Sequence, residues 1–451
     1  MSELMDIANG VVSRAKGNEE IEVYVSRGHD TDVTAYDGDI ESLSSADSGG
    51  VGVRVLLPSP DGARVGTAWA GSLEPHVIDA VLADARDNAR FATPDPFMVL
   101  AKPDGVVPAE IDLWRDSFAS VPTDKKVQLA LDLEAAVRSG DPRIRQVEGA
   151  SYGDASVEMA LVSTAGISAS ARRTTAYLSV MAIAADGEDS QSGGGYSVGR
   201  VLDELDPEKP RRDAIERSVR LLGAEKIPTD TYNIVFDPEI SSTLLALASS
   251  ALSGEAVVRG RSFFANRVGE SVAAPLVTLV DDPTDARMFS ASALDAEGLA
   301  SRRNVLIEKG VLRGFVYDTV SAARAGTTST GSAVRGGLAS NPGASCRALL
   351  LEPGELDQEG ILKAVGEGIL VTSLTGVHSG VNTISGDFSV GIEGLRFSNG
   401  TLGAPLREVT IGSTLQRLLL TITHIGNDLE WLPAMAAGQS IAISSVRVSG
   451  R

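Results

Sequence analysis

The sequence has 451 residues, two or three times the size of a common domain, so two domains are the default expectation. Hydrophobic residues at 43%, charged residues at 22% and 47 glycines exclude a disordered or collagen-like chain. The formal net charge of −20, with no dense Lys/Arg cluster, argues against nucleic acid as a direct partner.

The single cysteine, Cys346, cannot form an internal disulfide or build a thiolate metal site alone. The N-terminus is acidic without an apolar leader, and no stretch approaches the ~18 apolar residues of a membrane span. A cytoplasmic protein, neither exported nor membrane-embedded, is the expectation.

In chain order, Leu4, Ile7, Ala8, Val11, Val12 and Ala15 recur at helical spacing behind Ser2, placed as an N-cap. Short strands are expected at 21–25 and 31–36, then after an Asp37-Gly38 turn at 40–43 and 51–55. Helical spacing returns over 74–90, a Pro-rich connection follows, and a helix is predicted over 123–137. Strand-like runs cover 144–183, Ser192-Gly193-Gly194-Gly195 reads as a flexible segment, and a charged helix spans 207–222.

Gly223, Pro228 and Asp230 mark the best boundary, dividing the chain into 1–225 and 226–451. The second part is Gly-rich. It carries an expected strand at 233–236, a helix at 238–252, a strand at 276–280, a hairpin at Lys309-Gly310 and a helix at 358–365. Strands at 388–390 and 394–397, an Asn399-Gly400 turn and a helix at 414–422 follow. This order predicts an α+β fold of two domains with mainly antiparallel sheets and flanking helices.

Walker A, GxSxG, HExxH, CxxC and EF-hand patterns are absent, and no two of His29, His76, His378 and His424 lie within one helical turn. Cys346 reads as a buried inert thiol, and Trp69, Trp114 and Trp431 as core or interface anchors. The richest constellation runs from Thr375 to Gly391 and holds Gly376, His378, Ser379, Gly380, Asn382, Ser385, Gly386, Asp387 and Phe388. Its glycines permit close backbone approach and its short polar groups can satisfy peptide groups; equally, it can be a tight turn between two strands. An acid–base pair of His378 with Asp387 is a third reading.

The stretches GVHSGVNTISGDFSVGIEGLRFSNG (376–400), EVTIGSTLQRLLLTITHIGND (408–428) and GQSIAISSVRVSG (438–450) give the chain its family likeness. It resembles the TldD/PmbA (TldE) family, once called modulators of DNA gyrase, over essentially its whole length. The resemblance implies a two-chain zinc metallopeptidase that acts on unfolded or modified peptides within a chamber. One chain, TldD-like, carries HExxxH and a C-terminal cysteine as metal ligands; the PmbA/TldE-type chain lacks them.

At the corresponding positions this sequence has Gly254, Glu255 and Arg259, and 428–435 contains no cysteine. Zinc needs about three protein donors plus an open position, and Arg259 opposes a cation. The expectation is therefore a non-catalytic subunit without catalytic residues, metal or cofactor of its own, with zinc in a TldD-like partner chain. That hetero-oligomer would cleave unfolded polypeptides or mature modified peptides, and substrate would lie along Gly376–Gly391 by backbone pairing. The alternatives are a homodimeric peptide-binding scaffold and a divergent hydrolase built from Glu255, His378 and Asp387.

Overall fold

The computed structural model describes residues 2–451. Helix α1 (Ser2–Val12) opens the chain as expected; the side chain of Ser2 lies outside the described residues. Strands β1 (Glu20–Tyr36), β2 (Asp39–Ser59) and β3 (Gly62–Ala70) form a meander that leads into α2 (Pro75–Phe91). After an irregular connection the pattern repeats: α3 (Thr123–Arg138), β4 (Ile144–Ser163), β5 (Ser168–Asp186), β6 (Asp189–Gly199) and α4 (Glu208–Val219). The sheet order β3-β2-β1-β4-β5-β6 is symmetric about the antiparallel β1–β4 pair.

All four helices cover one face of this sheet. Ile21, Val23 and Val25 pack with α1 and α2, while Val33 and Ala35 pack with α3. These are odd-numbered residues of one strand and so share one face. Between them lie Arg27, His29 and Thr31, and this polar middle is why the sequence reads as two short strands where the structure has one of 17 residues. Antiparallel partners on both sides, β2 and β4, carry β1 through that polar stretch.

The segment 192–195 corrects the expectation of a flexible linker, because it lies inside β6. A Cβ on Gly193 would stand 2.3 Å from the Ser218 amide nitrogen, and one on Gly195 would stand 2.3 Å from the Pro210 carbonyl oxygen. The glycines therefore let α4 lie directly on the edge strand. Gly66 does the same for α2 on β3, where a Cβ would meet Ala85 O and Ala89 N at 2.1 Å.

The second part begins with β7 (Asp230–Phe236), α5 (Pro238–Ser249) and the short α6 (Gly254–Val258). Next come β8 (Leu279–Asp281), β9 (Asn304–Glu308), β10 (Val311–Leu312), α7 (Thr319–Ala325), β11 (Ala333–Val334), β12 (Gly343–Ala344), β13 (Leu349–Leu351) and α8 (Gln358–Val365). It ends with β14 (Glu367–Thr375), α9 (Val377–Gly380), β15 (Asp387–Ser398), β16 (Thr401–Thr414), α10 (Leu415–Leu420), β17 (Ile422–Ile425) and β18 (Ile441–Ser449).

The main sheet runs β16-β15-β14-β7-β18-β17, and an additional β16–β18 pairing closes five of its strands into a barrel. Ile234, Phe236, Ile369, Val390, Ile411 and Ile443 are among its buried residues. β8, β9, β10 and β13 form a small separate sheet. The fold is α+β with mainly antiparallel sheets and flanking helices. The expected division at 225/226 falls in the connection between α4 and β7. No helix among the described residues is long and apolar enough to cross a membrane.

The free face of the first sheet meets the second part through buried charge. Glu22, 2% exposed, accepts from Arg54 Nη2 at 2.9 Å and also from Arg335. Asp295 accepts from the amides of Glu297, Leu299 and Ala333 at 2.9–3.1 Å. Glu297 accepts from the amide and hydroxyl of Thr319 at 2.9 and 2.6 Å, while its Oε1 is buried without a partner. Burial, with Asp295 beside it, pushes the Glu297 carboxyl up to about 8.

Two measurements check this architecture. Gly193→Ala forces a methyl into the α4 backbone and lowers stability by about 1–3 kcal/mol in urea unfolding. Gly10→Ala, in α1 with nothing near its Cβ, raises it by about 0.5–1 kcal/mol. For Glu297, the folded protein binds the proton more tightly than the unfolded chain, so its contribution to stability declines as pH rises from 4.5 to about 8. Glu297→Gln keeps an acceptor for Thr319, and its unfolding midpoint should decline less across that window than that of the parent.

Candidate functional site

The Gly-rich segment sits where β14 hands over to β15. Gly376 adopts φ 74°, which directs the chain into the single turn of α9, and Val381 then bridges to Phe388. The Asn382 side chain accepts from the amides of Ile384 (2.9 Å) and Ser385 (3.2 Å), folding an Asx turn. Gly386, φ 86°, closes it, and a Cβ there would meet Gln416 Oε1 at 2.1 Å. Gln416 Nε2 donates to Ser385 O at 2.8 Å, which ties the loop to α10.

Several site expectations need correction. Phe388 is 1% exposed and belongs to the barrel core, and Gly386 is buried under Gln416, so neither offers a surface to a ligand. The peptide groups of the segment are also engaged. Asn382 N donates to Asp387 O at 2.9 Å, Leu415 N to Gly386 O at 2.7 Å, and Asp387–Gly391 pairs with β16. The β16 side of 387–391 is therefore closed to strand addition, and 376–386 is folded into a helical turn and an Asx turn instead of an extended edge.

The Asp387 carboxylate accepts from the Ser385 hydroxyl at 2.6 Å, and the exposed His378 ring makes no hydrogen bond among the described residues. The acid–base pair is not formed. What the segment presents outward is the side-chain set His378, Ser379, Asn382, Ile384, Ser385 and Asp387, together with Gly376.

Gly254, Glu255 and Arg259 occupy a different place, at and just beyond α6. Glu255 Oε1 lies 2.9 Å from Arg259 Nη2, an exposed pair one helical turn apart. Gly254 is buried, its amide donates to Val316 O at 2.7 Å, and a Cβ would meet the Tyr317 ring at 2.1 Å. A histidine at 254 has no room. α6 ends at Val258, so Arg259 is already its C-cap. Beside it is a cavity of about 150 Å³ lined by three guanidinium groups, Arg54, Arg259 and Arg324, and by Glu255 and Asp318.

A zinc ion does not fit this donor set. A glycine, a guanidinium and one carboxylate already paired to it supply a single donor, against the three or four that zinc requires. Among the described residues no three His, Cys, Asp or Glu side chains are grouped as metal ligands, and no hydrogen bond or ion pair joins Glu255, His378 and Asp387. Burial raises the Cys346 thiol well above its ordinary range, with Asp281 adding to the effect, so it is a protonated core residue.

A large cavity, about 830 Å³, was missed by sequence reasoning. It lies between the first sheet and the second part, with Met159, Arg173, Leu294, Asp295, Arg347 and Met435 in its walls. Those residues come from separated segments, so no local motif announces them. The available signal is an acidic pair inside an apolar run, Leu294-Asp295-Ala296-Glu297-Gly298-Leu299, whose carboxylates are both buried.

Three family models match the chain: PmbA/TldA metallopeptidase domain 1 over residues 21–89, the central domain over 116–222 and the C-terminal domain over 229–450. The first two correspond to the two halves of the symmetric sheet. The metalloprotease PmbA of Escherichia coli O157:H7 is 27% identical over 431 residues, covering 95% of this chain and 92% of that protein. A Bacteroides thetaiotaomicron protein provisionally named a modulator of DNA gyrase is 28% identical at a TM-score of 0.88, covering 100% of both chains. TldE from Thermococcus kodakarensis, 22% identical, has the same fold at a TM-score of 0.86, again over 100% of both. With its three domain models in order and its fold shared end to end, the chain belongs to the PmbA/TldD metallopeptidase family.

Proposed function

We propose that this chain is the non-catalytic subunit of a cytoplasmic two-chain zinc metallopeptidase. The zinc, its water and the general base come from a TldD-like partner, and the pair cleaves unfolded polypeptides or matures modified peptides. The observation that carries the reading is Gly254: the position where the catalytic type carries its first histidine is filled by the Tyr317 ring. Arg259, in the second histidine position, is paired with Glu255.

In this reading the exposed side chains of the 376–387 loop face the shared chamber and contact substrate through His378, Ser379, Asn382, Ser385 and Asp387. Its flank carries the docking surface. Ile384 at the loop tip is 51% exposed, and Leu420, one helical turn from the Gln416 that holds the loop, is 45% exposed. Apolar side chains flanking a polar loop suit a protein partner better than solvent.

The test is metal content and cleavage of an unfolded peptide by this chain alone, then mixed with a TldD-like chain. The expected result is no stoichiometric zinc and no cleavage alone, and an active zinc complex on mixing. Zinc and cleavage in the isolated chain would overturn the reading and make Glu255 the first residue to reconsider. In the active complex, His378→Ala and Asp387→Ala each lower the cleavage rate about fivefold, the worth of one hydrogen bond of ~1 kcal/mol, with zinc retained. Full activity in both variants means that the loop is only a turn.

A further inference from the structure

The outer edge of β5 is open over its first residues. β6 joins β5 only from Ala176, although β5 begins at Ser168, so the intervening residues pair with β4 alone. One backbone bond is made on the other side, from the Thr174 amide to Leu113 O at 2.9 Å. Alternate residues of a strand direct both peptide groups to the same side. Thr174 thus identifies Arg172 and Ser170 as the next residues whose N–H and C=O point outward, and among the described residues neither has a backbone partner there.

A groove runs along that edge. The 830 Å³ cavity and a neighbouring one of about 540 Å³ share Pro108, Ser170 and Leu294. Across from β5, residues 103–108 form one wall and 294–300 the other. Six residues of strand give the edge a length of ~20 Å. The walls are mainly apolar, with Ile111, Leu113 and Met159 at the larger end.

Charge at that end is mainly positive. Arg172 stacks over Trp114 at 4.8 Å, and the side chain of Arg173, an exposed residue, makes no hydrogen bond or ion pair among the described residues. Deeper in, the half-buried Arg347 donates to Leu294 O, Ser301 Oγ and Gly331 O at 2.7–3.1 Å and leaves only its Nε without a partner. Of the acidic side chains only Asp295 lines the cavity, and three backbone amides already occupy it. In a chain of net charge −20 this is a local cationic, apolar slot.

We propose that this groove binds an extended apolar peptide by its free carboxy-terminal end. The peptide backbone pairs with the outward groups of Ser170 and Arg172, its side chains fill the apolar walls, and its terminal carboxylate meets Arg173. Placing the carboxylate at the Arg173 end sets the peptide parallel to β5. The choice of a peptide over another carboxylate amphiphile follows from the free strand edge, which a fatty acid cannot use. The biological source of such ends rests on the peptidase reading above, while the binding itself needs only this chain.

The experiment uses the full chain alone and a fluorescent apolar pentapeptide in three forms: free acid, C-terminal amide and backbone N-methylated. The free acid should bind saturably, and the amide and N-methylated forms about tenfold more weakly, a loss of ~1.4 kcal/mol each. Arg173→Gln should abolish the preference for acid over amide while leaving amide binding unchanged; the residue is exposed and unpaired, so folding is preserved.

Absence of saturable binding by the free acid would overturn the proposal. So would equal binding of the N-methylated peptide together with displacement by decanoate, which would identify a fatty-anion site. Failure here with an active complex on mixing removes only this inference. Peptide binding by a chain that gains no activity with a TldD-like partner leaves it standing and removes the subunit reading instead.

Discussion

The buried contact of Glu22 with Arg54 and Arg335 is the constraint on which the arrangement of the two parts depends. Arg54 lies on the neighbouring strand of the same sheet, whereas Arg335 comes from the second part, so one carboxylate joins both. Burial alone would raise the Glu22 carboxyl, but the two guanidinium groups outweigh it and hold it below its usual range. An ion cluster of this kind adds little net stability over an apolar substitute, yet loss of one member strands the others and costs about 3–5 kcal/mol. Its value lies in register. Arg335 also donates to Ala296 O at 2.9 Å and its guanidinium lies over the Tyr24 ring at 5.7 Å, so the loops at 294–300 and 331–335 are fixed against the sheet. Those loops wall the large cavity, which is therefore a built feature of the interface.

Much of the fold could be read from local pattern. The helices at 75–91 and 123–138, the turns at Asp37-Gly38 and Asn399-Gly400 and the hairpin at Lys309-Gly310 all rest on residues whose own conformational preference decides the outcome. Reading failed where a distant neighbour decides. β1 passes through a polar stretch because strands on both sides hold it, and β6 tolerates Gly193-Gly194-Gly195 because α4 needs the space that side chains would fill. Glycine content alone cannot separate a flexible linker from a close helix–strand approach.

The same distinction governs the site. The Thr375–Gly391 stretch looks like a free backbone platform because glycine and small polar residues carry no visible partners in sequence. In the fold those partners exist: β16, the Leu415 amide and the Gln416 amide consume its peptide groups, and Phe388 completes a core. That position 254 is a glycine is plain in the sequence, but only the fold shows the Tyr317 ring standing where its side chain would go. A side chain placed at 254 would meet a filled volume beside the Glu255–Arg259 pair.

The free strand edge that the Gly-rich loop does not offer is found instead on β5, and it arises from the symmetry of the first sheet. β2 and β5 hold equivalent places beside the central pair, and each runs beyond its outer neighbour: β3 meets β2 only over residues 51–59, and β6 meets β5 only over 176–186. The unpaired part of β2 projects into solvent along an almost wholly exposed run, where nothing distinguishes one ligand from another. The unpaired part of β5 is instead enclosed by 103–113 and by the loops that Arg335 and Arg347 hold in place. Two equivalent edges thus differ in consequence because one is roofed by the second part of the chain, and enclosure is what converts open hydrogen-bonding groups into a selective surface.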